Sequence, residues 1–159
     1  MEKIKECNCC RLCGSNNIST IIDLGRTAAA NDYQKTQEAC FKQEKFPLQV
    51  FLCFSCRSVQ LKHTVDPNLL FQDYKYASST VVSLVEHFEN YAVDLYEKGI
   101  KGKCLELGSN DGILLKEFKK LGYSVLGVEP AKNLAKIAND RGLETIPVFF
   151  NKEEGIKIT

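Results

Sequence analysis

The last third of the chain alternates short apolar runs with segments whose apolar residues recur every three or four positions. Three runs have the length of a strand, at residues 103–108, 124–130 and 144–150. The two segments between them, 112–121 and 131–142, read as amphipathic helices that stop at a glycine. Strands and helices that alternate over short turns predict a parallel sheet with right-handed crossovers.

A longer helix is predicted before this sheet. One face carries apolar residues at helical spacing, namely Val81, Val85, Phe88, Ala92, Leu95 and Tyr96. We expect Ser78, Ser79 or Thr80 to cap its N-terminus and Gly99 to end it. This helix should pack on the sheet that follows.

Two cysteine pairs dominate the first third of the chain, CRLCG at 10–14 and CFSC at 53–56. Each C-x2-C turn can point two thiolates at one centre, so Cys10, Cys13, Cys53 and Cys56 together offer four soft ligands for tetrahedral Zn²⁺. With four protein ligands the metal would be structural. Between the pairs, ISTIIDLG reads as a strand that ends in a turn, and FPLQVFLC reads as a strand running into the second pair.

The cysteines also allow other interpretations. One pair could be a redox dithiol while the other only packs, and Cys7 or Cys9 could replace a ligand. Cys40 and Cys104 read as small buried hydrophobes. A zinc module could, moreover, be a non-enzymatic interaction domain for protein or nucleic acid.

The net charge and the hydropathy of the chain reduce the number of protein classes to consider. A formal net charge of +1 gives no electrostatic reason to expect a nucleic-acid partner. No apolar segment reaches the length of a membrane span, and the first ten residues lack the apolar core of a secretory signal. We therefore expect a cytoplasmic protein without a membrane partner, in which eight cysteines indicate metal or redox chemistry.

The loop LELGSNDGILL, residues 105–115, predicts a ligand site at the carboxyl end of the first strand. Gly108 would let the backbone approach a ligand, Gly112 would let the helix pack close to the strand, and Glu129 could bind both ribose hydroxyls. The middle glycine of a dinucleotide fingerprint is absent, and Asp111 would oppose a pyrophosphate. An acidic rim suits S-adenosylmethionine, while a purely structural turn is the alternative.

A cluster of hydroxyl groups precedes the long helix, in DYKYASS at 73–79. Tyr74, Tyr76, Ser78 and Ser79 could bind a polyol or a phosphate, although covering the core edge and capping the helix is the simpler account. His87 on the helix is by itself more typical of a structural residue.

Taken in order, these motifs resemble the S-adenosylmethionine-dependent sugar C-methyltransferases that act on nucleotide-linked keto-deoxysugars. The resemblance runs from Cys10 to Phe150 and rests on these pieces: CRLCG, LG with AND, CFSCRSVQL, DYKYASS, EHF, LELGSNDGILL, GVEP and FF. The family tends to have proline and leucine before AN, where this chain has Ala28 and Ala29.

The resemblance implies an α/β chain with a small N-terminal zinc-binding domain of the four-cysteine type, followed by the first βαβαβ half of a Rossmann-like methyltransferase domain. It implies Zn²⁺ on the four paired cysteines and substrate contacts at Tyr74, Tyr76, Ser79 and His87. It also implies S-adenosylmethionine contacts, at Glu106, Gly108, Ser109, Asn110, Gly112 and Glu129.

We predict three segments: a zinc-binding domain at 1–65, a connector with a helix at 66–100 and a truncated donor-binding domain at 101–159. Members of the family extend further, and the resemblance places the catalytic acid/base residues beyond Thr159. The chain alone is therefore expected to be an inactive fragment whose first strand has an unpaired apolar edge. A methyltransferase with another acceptor, or a non-enzymatic zinc-binding interaction module, is the alternative.

Overall fold

A computed structural model of the chain describes residues 3–158, which form two compact units divided between Leu70 and Phe71. Residues 1, 2 and 159, which the predicted first and last domains include, lie outside the described residues. The boundaries 1–65, 66–100 and 101–159 stay a prediction.

The first unit is built on two antiparallel sheets. One pairs β1 (Ile4–Glu6) with β5 (His63–Val65), and the other has the order β2 (Ile18–Ala28), β3 (Lys45–Cys53), β4 (Val59–Leu61). Two short helices are α1 (Gln37–Lys42) and α2 (Pro67–Phe71), the last residue of which belongs to the second unit. The strands expected at ISTIIDLG and FPLQVFLC are thus both present.

Strand β2 continues past the turn that its sequence predicts. The pairing with β3 shifts register between Asp23 and Arg26, and Gly25 between them has φ +71°. The Asp23 carboxylate accepts the Gly25 backbone N–H at 2.8 Å, which holds this conformation. The glycine therefore forms a β-bulge, so that the strand bends and resumes pairing as far as Ala28.

The second unit holds a three-stranded parallel sheet with helices between its strands. The sheet order is β6 (Lys103–Leu107), β7 (Ser124–Val128), β8 (Thr145–Ile146). The helices are α3 (Val82–Glu97), α4 (Ile113–Lys120), α5 (Lys132–Asp140) and α6 (Lys152–Ile158). The predicted α/β class, with a partial Rossmann-like sheet after a cysteine-bearing unit, is confirmed.

The start of α3 corrects one prediction. Ser78–Thr80 form a separate turn of 3₁₀-helix, and Val81 takes the N-cap position without a side-chain hydrogen bond. No hydroxyl of the serine–threonine run caps α3, because the 3₁₀-helix places those residues before the first helical turn. Gly99, with φ +77°, follows the end of the helix as expected.

Apolar side chains on the two faces of α4 form the core of the second unit. Phe118 of α4 packs with Ala92 of α3 and with Tyr123. Leu115 packs with Ala138 and Leu143. Cys104 lies against both clusters, as a small hydrophobe does.

Strand β6 has one paired edge within residues 3–158, since β7 is its one neighbour in the sheet. The side chains of Leu105 and Leu107 are 45% and 51% exposed. An apolar edge strand of this kind is one that natural proteins usually cover.

Within the described residues, none of the helices could span a lipid bilayer.

Candidate functional site

The four cysteines of the two C-x2-C pairs converge in the first unit. The sulfur atoms of Cys10, Cys13, Cys53 and Cys56 all lie within 4.8 Å of one another. Two distances across the pairs, Cys10 to Cys56 and Cys13 to Cys53, are both 3.6 Å. A tetrahedral Zn²⁺ with Zn–S bonds of about 2.3 Å separates its sulfurs by about 3.8 Å, so the donor set fits the ion.

Each pair sits in a tight turn of the same form. The Gly14 N–H donates to the Cys10 carbonyl at 2.9 Å, and the Arg57 N–H donates to the Cys53 carbonyl at 2.8 Å. Gly14 has φ +72° and Arg57 has φ +64°. Arginine thus takes, in the second turn, the left-handed position that glycine takes in the first, which its residue type does not signal.

Backbone groups of these turns favour the thiolate form of two sulfurs. Hydrogen bonding from the Cys13 backbone lowers the pKa of Cys10 to about 5. Hydrogen bonding from the Cys56 backbone likewise lowers the pKa of Cys53. A backbone hydrogen bond from Ser15 is outweighed by burial and the neighbouring sulfurs, which raise the pKa of Cys13 to about 12. Since zinc binds thiolates, metal binding would have to displace the proton of Cys13. Four protein ligands leave no open position for catalysis.

The remaining cysteines lie outside this cluster of ligand atoms. Cys7 accepts a hydrogen bond from the Arg11 guanidinium at 3.2 Å, and Cys9 is exposed. Cys40 is exposed on α1, so the expectation that it is a buried hydrophobe is wrong. Helix α1 buries no residue, because it lies on the surface of the unit.

In the second unit, a carboxylate joins the ends of two neighbouring strands. Glu129 follows β7 and is 6% exposed. Its two oxygens accept the backbone N–H groups of Asn110 and Ala131, each at 2.8 Å. Asn110 lies in the glycine loop after β6, with φ +51°. A carboxylate has about four acceptor positions, so two remain for ligand hydroxyls.

The glycines of the loop have different surroundings. Gly108 has φ +74°, and a Cβ built there would meet no atom within 4 Å, which leaves room for a ligand. A Cβ at Gly112 would lie 2.6 Å from Leu143 and 3.2 Å from Ala138. Gly112 therefore permits close packing of the loop against the end of α5, and not against a strand as the sequence suggested.

The polar residues between these glycines face inward. Ser109 is 1% exposed, and its Oγ would lie 2.5 Å from a Cβ added at Gly127. Asp111 is also 1% exposed, and its carboxylate contacts the Arg141 guanidinium at 3.2 Å. Asp111 Oδ1, in contrast, is buried and makes no hydrogen bond within residues 3–158, so the carboxylate is only partly paired and its contribution to an acidic rim stays a prediction.

Glu106, on β6, carries the second carboxylate near this edge of the sheet. Its Oε2 is buried and makes no hydrogen bond within residues 3–158. Burial raises the pKa of Glu106 to about 7, and the neighbouring charge of Glu129 acts in the same direction. A buried carboxyl oxygen without a partner suits a donor or cationic group of a ligand. Glu106 and Glu129 are thus two acidic residues at this edge of the sheet, and Asp111 has an oxygen without a hydrogen bond in the same part of the described chain.

The tyrosine segment lies against the same loops. Asn110 donates to the Tyr76 carbonyl at 3.1 Å and accepts the Ser78 N–H at 2.8 Å. The rings of Tyr74 and Tyr76 meet edge to face, with centroids 6.4 Å apart. Ser79 lies in the 3₁₀-helix that follows. The structure therefore brings Tyr74, Tyr76 and Asn110 together, a grouping that the distance between them in sequence does not reveal.

His87 has aromatic neighbours on its own helix. Its ring stacks on Tyr91 at 6.4 Å and lies 5.6 Å from Phe88. Tyr91 in turn meets Phe118 of α4 edge to face. These ring contacts are those of a residue that helps to pack α3, and its predicted substrate contact stays a prediction.

The four-cysteine unit, and the parallel sheet with its glycine loop and the acid that ends the next strand, agree with the arrangement that the motifs predicted. Residues 10–71 match a family model described as "Putative zinc binding domain". The chain is 37% identical over 153 residues to "C-methyltransferase NovU" of Streptomyces niveus.

That match covers 94% of this chain and 36% of NovU, so the chain spans about a third of the length of this curated relative. The resemblance to the C-methyltransferase family, inferred from the order of the motifs, is confirmed by these two findings. Zinc binding is supported by both the family model and the four-cysteine cluster.

We predict that Cys56→Ser lowers zinc affinity by more than about 100-fold, since even groups behind a ligand contribute about 10–100-fold. Competition with a chromophoric chelator at pH 7.5 measures the affinity. Cys40→Ser is the matched control, because Cys40 is also exposed but lies outside the cluster. Equal affinities for the two variants would contradict this assignment of the ligands.

A second prediction concerns Glu106 and pH. Its pKa is higher in the folded chain, about 7, than the ordinary 4.5, so the folded state holds the proton more tightly. Stability of the second unit should therefore fall as pH rises from about 4.5 to about 7 and then level off. Glu106→Gln removes this ionisation and should flatten that part of the profile. Urea unfolding at several pH values measures it, and a wild-type profile that rises with pH in parallel with the variant's would refute the prediction.

Proposed function

We propose that this chain contributes the zinc-binding unit and the methyl-donor site of an S-adenosylmethionine-dependent C-methyltransferase. The proposed acceptor is a nucleotide-linked keto-deoxysugar. The observation that carries the proposal is the Glu129 carboxylate at the end of β7, bound to the backbone of the glycine loop that follows β6. The identity to NovU supports the reaction class, since that relative is named a C-methyltransferase.

The donor site would use the carboxyl edge of the sheet. Glu129 has acceptor positions left for two ribose hydroxyls, and Gly108 leaves open space for the backbone to approach the ligand. The unpartnered oxygen of Glu106 offers an acceptor for the ammonium group of the amino-acid part. The donor-binding loop also includes Ser109, Asn110 and Gly112. Ser109 and Gly112 would contribute to the donor site through packing of the loop.

S-adenosylmethionine would supply an electrophilic methyl group when bound. The acceptor carbon becomes nucleophilic by losing a proton, because a neighbouring keto group stabilises the enolate that forms. That proton transfer requires a base tuned near neutral pH. We assign this role to no residue of this chain.

The acceptor would be bound beside the donor by the tyrosine segment. Tyr76 is held to the glycine loop by Asn110, Tyr74 is held to the start of α5 by Asn133, and Ser79 follows them in the chain. Phenol and hydroxyl groups suit the hydroxyls and phosphates of a nucleotide sugar. His87 is the more distant candidate, and its ring contacts with Tyr91 and Phe88 argue for packing first.

The zinc ion would stabilise the first unit and take no part in the reaction, because four thiolates complete its coordination. We place the enzyme in the cytoplasm, where the reducing environment keeps such thiols available to a metal. The proposal includes no nucleic-acid or membrane partner.

Calorimetric titration of the zinc-loaded chain with S-adenosylhomocysteine tests the donor site. We expect one binding site per chain, with affinity reduced at least about tenfold in Glu129→Gln, since hydrogen bonds to charged groups contribute about 1.5–3 kcal/mol. Glu144→Gln is the control, because Glu144 is an exposed acid of the same unit. Absence of binding in the wild-type chain, or equal affinity in both variants, would refute the proposed donor site.

A further inference from the structure

The segment from Gln72 to Ser78 is fastened to the carboxyl edge of the sheet at several backbone groups. Asn133, at the start of α5, accepts the Tyr74 N–H at 3.2 Å and donates to the Tyr74 carbonyl at 2.8 Å. The N–H of Lys132 donates to the Gln72 carbonyl at 3.3 Å. Asn110 holds the other end, at Tyr76 and Ser78. We call residues 72–78 the tyrosine strap.

The side chain of Asn110 is largely used by these contacts. Its Oδ1 accepts the N–H groups of Ser78 at 2.8 Å and of Asp111 at 2.9 Å, and its Nδ2 donates to Tyr76 at 3.1 Å. An asparagine amide offers two acceptor positions and two donor hydrogens, so one hydrogen remains. Asn110 is thus built to hold the strap, whereas the family resemblance suggested a direct cofactor contact.

The same residue is tied to the acid of the donor site. The Asn110 N–H donates to Glu129 Oε2 at 2.8 Å, while its side chain holds Ser78. Asn110 therefore contacts Glu129 through its backbone and the tyrosine strap through its side chain. The asparagine has φ +51°, a conformation that asparagine, aspartate and glycine tolerate best.

We infer that Asn110 and Asn133 are positioning residues, which fasten the tyrosine strap to the loops after β6 and β7, and that Asn110 couples donor binding at Glu129 to the order of the strap. The coupling rests on the proposed function, whereas the fastening does not. Opening of the strap breaks the Ser78–Asn110 hydrogen bond, and a ligand that stabilises the loop makes that opening rarer. Donor binding would in this way prepare Tyr74 and Tyr76 for the acceptor.

Amide hydrogen exchange of the full zinc-loaded chain, followed by NMR, tests both parts. The Ser78 and Tyr74 amides each report one asparagine. In the free chain, Asn110→Gly should speed exchange at Ser78 and leave Tyr74 unchanged, while Asn133→Ala should do the reverse. Glycine keeps the backbone conformation of position 110, and Asn110→Asp, which keeps the acceptor oxygen, should restore slow exchange at Ser78.

Saturating S-adenosylhomocysteine should slow exchange at Ser78 about fivefold or more in the wild-type chain, the lower end of typical coupling between sites. In Asn110→Gly, at a concentration of the compound that saturates the shift of the Ala131 amide, the Ser78 amide should not respond. Equal protection of Ser78 in both proteins would overturn the coupling.

Unchanged exchange of the free Asn110→Gly and Asn133→Ala chains would overturn the fastening, even if the donor binds. Failure of the wild-type chain to bind the compound would refute the donor site and the coupling, while the free-chain comparison still decides the fastening.

Discussion

The second unit depends on one carboxylate that satisfies backbone donors from two loops. Parallel strands end at the same edge of a sheet, where the chain must turn and leaves N–H groups without partners. Glu129 accepts two of them, from Asn110 and Ala131, and so fixes the glycine loop relative to the start of α5. The positive φ of Asn110 and the close packing at Gly112 both belong to the loop shape that this carboxylate holds.

The first unit buries few large apolar side chains. Its buried apolar side chains include Phe46 and Phe51, while several large residues of β2, among them Ile21, Ile22 and Leu24, are about half exposed or more. A small unit with so little apolar burial gains much of its stability from a metal. Cys10 and Cys53 are themselves buried, so two of the four ligands lie in the interior of this unit.

The sequence was informative where residue type determines geometry. Two C-x2-C pairs predicted the converging sulfurs, and the periods of apolar residues predicted the parallel sheet and its helices. It was less informative where a side chain serves tertiary structure. Nothing in the residue type of Asp111 shows that Arg141 will pair with it, and nothing in Asn110 shows that it will hold a distant backbone segment. Likewise, Arg57 takes a left-handed conformation because the cysteine turn requires it, against its own preference.

NMR titration of the ¹⁵N-labelled chain tests whether Glu129 and the backbone groups that it binds form an S-adenosylmethionine site and not a dinucleotide site. The amides of Asn110 and Ala131 report on this site, since both donate to Glu129. We expect saturable shifts of these two signals with S-adenosylhomocysteine and none with NAD⁺ at the same concentration. Shifts with NAD⁺, or no response of either amide to S-adenosylhomocysteine, would contradict the proposed S-adenosylmethionine site.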